Sequence, residues 1–398
     1  MRGARERNIL KTINITTMKT KHFFLALLSA VVLTTGLTSC HDDDNDSNII
    51  KYKEIIVGDL LVINEGNYAS KINGSMDYLS YGINGTISHD MFKSATGRAL
   101  GGTPNSAVLV GSNLFIACTD ENVVEMLNVN TSQSVQIKVQ APRELATDKD
   151  FVYVSSYDGT VSKISTTTFA VNATSEKVGS YLEGIAVQDG YVYVCNAYDK
   201  YNDGSSMYDT YDYKTNVVKL SAGDLHKVKD ITVAANPNSI LSDGKNLYVN
   251  SWGNYYDVLP TVQKIDASDN VTTLTSANWM AYYKDKLYLI EQDTQYDENY
   301  TPTFTHKYKT YDLTTNTESI FLNDTEGSIF YPAAIGVDPI SGEIFITSYV
   351  AGEYGWGDYS ANGYLMRYTN DGTFINKYET GVGPCTLVFM AHYEIVND

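Results

Sequence analysis

The sequence predicts an all-β chain folded as a seven-bladed β-propeller whose C-terminal strand completes blade one. Three observations carry that expectation. An apolar, alternating phrase recurs seven times: LLVINEG at Leu60, NLFIACT at Asn113, FVYVSSY at Phe151, YVYVCNA at Tyr191, NLYVNSW at Asn246, KLYLIEQ at Lys286 and EIFITSY at Glu343. Successive copies stand 38 to 57 residues apart, the spacing of a repeat architecture. The chain also ends on an unpaired apolar phrase, GPCTLVFM from Gly383, while the first copy at Leu60 lacks any entering segment. A last strand that fills that vacancy leaves no open sheet edge.

Each repeat divides into four strands. An entering segment comes first: TPNSAVLV from Thr103, APRELAT from Ala141, YLEGIAV from Tyr181, NPNSILS from Asn236, NWMAYYK from Asn278 and YPAAIGV from Tyr331. Short turns of Gly, Asp, Asn, Ser and Lys, such as Gln188-Asp189-Gly190 and Ile340-Ser341-Gly342, lead from it into the recurrent phrase, which is hairpin chemistry. A third strand (TVSKIST, VVKLSAG, TVQKIDA) and a more variable fourth (SVQIKV, HKVKDIT, NVTTLTS) follow. Four strands in each of seven units make a propeller of seven blades.

Ahead of the repeats, residues 1–39 read as a signal peptide. Met18-Lys19-Thr20-Lys21 is a better start than Met1, and the apolar run Phe23 to Leu37 is too short to span comfortably as a permanent helix. Leu37-Thr38-Ser39-Cys40 resembles a lipobox, in which cleavage exposes Cys40 for lipidation. Residues 40–53 then form a tether opening on the acidic cluster His41-Asp42-Asp43-Asp44-Asn45-Asp46, and residues 54–398 form the propeller. Of the remaining thiols, Cys118, Cys195 and Cys385 have neither disulfide nor metal-ligand spacing and are expected as free thiols.

In a propeller the connection between second and third strands opens on the face where one blade passes to the next. Four of these hairpin loops are expanded, at Asn196–Thr215, Ser251–Pro260, Glu291–His306 and Ser348–Gly363, in the contiguous blades four to seven. They hold twelve of the 32 tyrosines, among them Tyr198, Tyr208, Tyr211 and Tyr256, together with Trp252 and Trp356. Long, aromatic loops in a compact domain point to binding. Eleven carboxylates, including Asp199, Asp203, Asp209, Asp212 and Glu291, stand in the same loops against Lys200 and Lys214, in a chain of formal net charge -18. Nucleic acid is excluded as a partner by that sign of charge.

The segments that pass from blade to blade place Asn105, Arg143, Glu183, Asn238, Trp279, Phe330 and Tyr331 at the mouth of the central channel. Arg143 and Glu183, in adjacent blades, can also simply pair with each other. Catalysis finds little support, because His22 and His41 belong to the leader and tether and the other four histidines are scattered with no nucleophile motif beside them. The expectation is a protein that is not an enzyme and has no cofactor and no metal site.

The repeat phrases and N-P-N-S segments resemble YncE-like propellers across almost the whole mature chain. Joined to the Cys40 lipobox, the acidic tag and the aromatic loops, they resemble the BtuG-type cobalamin-binding surface lipoproteins of Bacteroidota. That resemblance implies an outer-membrane, lipid-anchored, cell-surface protein that captures cobalamin or a related corrinoid as a transported ligand. It also implies a BtuB-like TonB-dependent outer-membrane transporter as partner. A glycan-binding surface lipoprotein, since Tyr and Trp also stack on sugar rings, and a propeller lyase or hydrolase using loop carboxylates are the alternatives.

Overall fold

The computed structural model describes residues 52–82, 85–202, 204, 209–324, 328–390 and 392–397. The expected signal peptide, Met18, Cys40 and the acidic tether lie outside these residues, as do Asp203 and Tyr208.

Seven four-stranded antiparallel sheets form the ring, and in each the recurrent phrase is the second strand counted from the channel. The six entering segments are the innermost strands of blades two to seven, for example Pro104–Val110 beside Asn113–Cys118. Blade one begins at Asp59–Asn64, and its innermost strand is Pro384–Phe389 from the far end of the chain, in the register Leu60↔Phe389 to Asn64↔Pro384. The ring therefore closes as the sequence predicts. Beyond that closure, Tyr52–Val57 pairs with His392–Asn397 in a separate two-stranded sheet outside the blades, a second clasp between the two ends that the repeat pattern did not announce.

Both faces of each blade pack on a neighbour, which is why the second strands read as nearly continuous apolar runs. Alternation sends Leu61 and Ile63 to the cluster shared with blade two, and Leu60 and Val62 to the cluster shared with blade seven. The described core falls into seven such clusters, one per blade interface. The one between blades seven and one holds Phe345, Leu365 and Tyr378 against Leu60, Val62, Leu79 and Tyr81. Cations reach across the interfaces as well. Lys163 Nζ donates to Ala222 O in the next blade at 2.7 Å, Lys219 meets Asp269 at 3.0 Å, and Arg367 grips Glu343 while donating to Tyr81 O at 2.9 Å. One short helix, Met91–Thr96, links blades one and two and buries Met91 and Phe92. Nothing in the repeat pattern predicted it.

The inner strands approach one another closely at the axis. A Cβ on Gly184 would lie 2.7 Å from Ser239 Cα and 2.8 Å from Asn238 O, so only glycine lets blades four and five meet there. Cys118, Cys195 and Cys385 are free thiols, as expected.

Candidate functional site

Four of the inner strands are entered through a sharp bend at the channel mouth. Thr103, Ala141, Tyr181 and Asn236 have positive φ although none is glycine. In three of these blades the bend turns a carbonyl onto the end of the second strand: Thr119 N donates to Thr103 O, Tyr157 N to Ala141 O and Trp252 N to Asn236 O, at 2.9 to 3.0 Å. Strain of this kind persists where surrounding bonds fix it. Its effect is to hold the residues that follow, Asn105, Arg143, Glu183 and Asn238, at fixed positions around the mouth.

The mouth encloses about 380 Å³ and draws on six blades. Asn105, Arg143, Asn238, Trp252, Trp279 and Tyr331 line it, so six of the eleven candidate binding residues come together. Tyr349 and Tyr359, from the expanded loop of blade seven, line it too, as do Glu65, Glu144, Asn278 and Cys385, which sequence reasoning missed. Glu144 directly follows Arg143 on an entering strand, and Glu65 is next to last in the first recurrent phrase, so both positions carried a readable signal. Cys385 reaches the mouth only because the C-terminal strand folds back into blade one.

Arg143 is the charge centre of the mouth. Its Nε donates to Glu183 Oε2 at 2.6 Å, its Nη1 donates to Asn105 Oδ1, and its guanidinium lies 5.2 Å from the centre of the Tyr157 ring. Tyr157 Oη donates to Glu183 Oε1 at 2.8 Å. Glu183 is buried with both oxygens engaged, so it braces Arg143 and does not line the cavity. Burial pushes the Glu144 carboxyl up to about 7, against the pull of the Arg143 charge and a hydrogen bond from Ser106. Burial likewise raises Glu65, which accepts from Tyr349 Oη at 3.2 Å.

Two aromatic arcs flank the mouth. Along blades three to five, Tyr157, Tyr181, Tyr198, Tyr211, Tyr213 and Tyr255 follow one another with ring centres 4.7 to 6.1 Å apart. Tyr198 and Tyr211 are thus members of one ladder, whereas Tyr256 stands outside it at a loop tip, 92% exposed. Its neighbour Tyr255 makes the contact. Across the mouth, Phe304 touches Trp356 at 5.5 Å and Tyr331 at 4.8 Å, and Trp356 also meets Tyr296.

Two of the four expected loops are strands. In blade four, Tyr191–Tyr201 and Thr210–Ser221 keep pairing above the blade, with Tyr198↔Tyr213 and Lys200↔Tyr211; in blade six, Lys286–Tyr296 pairs with Pro302–Asp312 along its whole length. The alternation of Tyr211 with Tyr213, and of Phe304 with His306, is the period of a strand and marked these ribbons in the sequence. The expected excess of negative charge is also moderated. Lys214 bridges Asp199 and Asp212 at 2.6 and 2.5 Å, Lys200 pairs with Asp209 at 2.8 Å, and Lys309, from beyond the expected loop, reaches Glu291 at 2.9 Å. Trp252 is more than a loop aromatic: its Nε1 donates to Asn278 O at 2.9 Å and ties blade five to blade six. Among the described residues, no group of three His, Cys, Asp or Glu side chains is placed to hold a metal ion.

The family model described as Domain of unknown function (DUF5074) matches residues 59–389, from the first strand of blade one in the chain to the strand that completes it. A search of curated proteins finds no match. Among solved structures, the chain is similar to Kuenenia stuttgartiensis hydrazine synthase, with 16% identity and a TM-score of 0.56 over 74% of this chain and 95% of that one. It is also similar to a quinonprotein alcohol dehydrogenase-like protein from Bacteroides thetaiotaomicron VPI-5482, with 13% identity and a TM-score of 0.58 over 82% and 77% of the respective chains. At such identities the likeness is one of fold, and function has to be argued from the site.

Proposed function

The chain belongs to the DUF5074 family, and from that premise we propose that it is a binding protein that captures a broad, largely uncharged ligand across the channel mouth, with a corrinoid such as cobalamin as the best-fitting class. One observation carries the reading: two aromatic arcs on opposite sides of a polar, strongly hydrogen-bonded mouth. A corrinoid has broad apolar faces and a rim of amide groups. The arcs supply faces for the ring, and Asn105, Asn238, Asn278 and Arg143 supply donors and acceptors for the rim. A cavity of about 380 Å³ does not engulf such a ligand, so it rests over the mouth between the arcs. Binding without catalysis fits carboxylates that are already engaged, as Glu183 is by Arg143 and Tyr157.

The lipobox at Cys40 supports a lipid-anchored protein of the outer membrane, exposed at the cell surface, and capture there calls for a TonB-dependent transporter to receive the ligand. The six-tyrosine ladder favours one second reading, a linear glycan laid along blades three to five. Calorimetry of the mature chain with cobalamin, and separately with a panel of oligosaccharides, decides between them. Saturable heat from cobalamin supports the first reading; heat from a glycan alone replaces it with the second. A Cys40→Ala chain that stays in the membrane fraction as fully as the parent would defeat the anchored form of the proposal.

A further inference from the structure

A second cavity, of about 530 Å³, lies beside the ribbon of blade six, where that blade meets blade seven. Phe304, His306 and Tyr308 line it from one face of the ribbon, at alternate positions of one strand, and Asp324, Ile329 and Phe330 line it from the passage into blade seven. A smaller cavity of about 240 Å³ shares His306, Tyr308 and Asp324 with it, so the two abut along those side chains. Phe330, expected at the channel mouth, faces this cleft, while its neighbour Tyr331 faces the mouth.

The cleft combines aromatic rings with polar side chains, Thr303 and Thr305 lining it as well. Phe304 and Phe330 stand nearly perpendicular, at 87° with centres 6.0 Å apart, and make a corner that offers one ring face and one ring edge. Asp324 already accepts from Ser328 N, Ser328 Oγ and Ile329 N at 2.6 to 2.9 Å. His306 Nε2 meets Gln292 Oε1 at 3.1 Å, and burial holds the imidazole down at about 4, so it is uncharged at neutral pH. Tyr308 is 2% exposed, and its hydroxyl has no hydrogen-bond partner among the described residues. Leaving a buried hydroxyl unpaired is costly, and a ligand acceptor removes that cost.

We propose that this cleft is a second binding site, adjoining the channel mouth through the Phe304 ring, for a planar, uncharged nitrogen heteroaromatic group of nucleoside size. The ring occupies the corner of Phe304 and Phe330, and a ring nitrogen or carbonyl accepts from Tyr308 Oη. The volume lies within the roughly 300–1,000 Å³ range of small-molecule sites. A hexose presents hydroxyls all round its ring, and the aromatic corner of Phe304 and Phe330 offers them no partners. An anion fits poorly too, because the cleft presents a carboxylate and an uncharged imidazole.

The test is titration of the full mature chain with adenosine as probe, followed by ligand-detected NMR, with AMP and glucose as comparison arms. Adenosine binds saturably to the parent, Tyr308→Phe weakens it about tenfold or more without lowering the melting temperature, and AMP binds more weakly than adenosine. Trp279→Ala, at the channel mouth, leaves adenosine affinity within about twofold, which separates this site from the proposed capture site. Phe304→Leu serves as a second variant and also weakens binding. No saturable adenosine binding to the parent, equal binding to the parent and Tyr308→Phe, or glucose binding as tightly as adenosine each overturns the proposal.

Discussion

Removing the residues after Gly381 takes the innermost strand out of blade one and tests how the ring is closed. Five apolar side chains leave the interfaces: Val388, Cys385 and Met390 from the cluster between blades one and two, and Leu387 and Phe389 from the one between blades seven and one. A fully buried side chain of this kind contributes about 1.5–3 kcal/mol, and four of the five are only partly buried, so the direct loss is roughly 5–9 kcal/mol. The cut also strips ladder partners from Leu60, Leu61, Val62 and Ile63, which are fully buried, and leaves an open edge. Total stabilities of about 5–15 kcal/mol leave little margin for such a loss. At about 2–4 °C per kcal/mol, the midpoint falls by at least about 10 °C if the chain folds at all. A shorter cut after Met390 removes the His392–Asn397 clasp and spares the blade, and separates the two contributions. Thermal unfolding followed by circular dichroism reads both variants. If the cut after Gly381 melts within about 2 °C of the parent, closure by this strand is not what holds the ring.

Trp279→Ala and Trp356→Ala should each weaken cobalamin binding about tenfold or more, as buried aromatic anchors do, and calorimetry with unchanged affinity in both would remove them from the site. Trp252 requires the milder Trp252→Phe, because its indole N–H bonds Asn278 O, and that variant should lose some stability together with affinity. Arg143→Met leaves Glu183 and Glu144 without their cation and should cost about 3 kcal/mol, much of it regained in Arg143→Met/Glu183→Gln; an equal loss in the two, by denaturant unfolding, refutes the pairing argument. Because folding raises Glu144 to about 7 from an ordinary carboxyl value, its proton favours the folded state below about pH 4.5, and that contribution fades as pH rises through 7. The parent should therefore lose melting temperature between pH 5 and 8 relative to Glu144→Gln, and parallel profiles would show that the carboxyl is not buried as described.

The blades were legible in the sequence because they are local. A strand buried on both faces needs an apolar run, a hairpin needs a residue tolerant of positive φ, and both lie within a few residues, as at Val152 to Val154 or Asp189-Gly190. Closure was legible for the same reason, since one unpaired phrase at the end matched one missing segment at the start. Three features went unread or were misread, the first being the clasp of Tyr52–Val57 with His392–Asn397. The ribbons of blades four and six passed for loops because their strand alternation is carried by Tyr, Thr, Asp and Lys, not by aliphatic residues. The helix at Met91 gave no signal because six residues are too few for a period to show.

The sequence by itself determined where each entering segment stands around the channel mouth, because its position in the repeat fixes its place on the ring. Tertiary structure alone decided what those residues do there. Arg143 and Glu183 are 40 positions apart; the sequence offered their pairing as one of two readings, and the packing of adjacent inner strands selects it and braces the pair with Tyr157. Tyr255 joins the tyrosine ladder and Tyr256 does not, because neighbours in a tight loop point apart and composition carries no direction. Phe330 and Tyr331 divide between two cavities for the same reason: side chains alternate along extended backbone, and only the position of the neighbouring blade fixes which cavity each one enters.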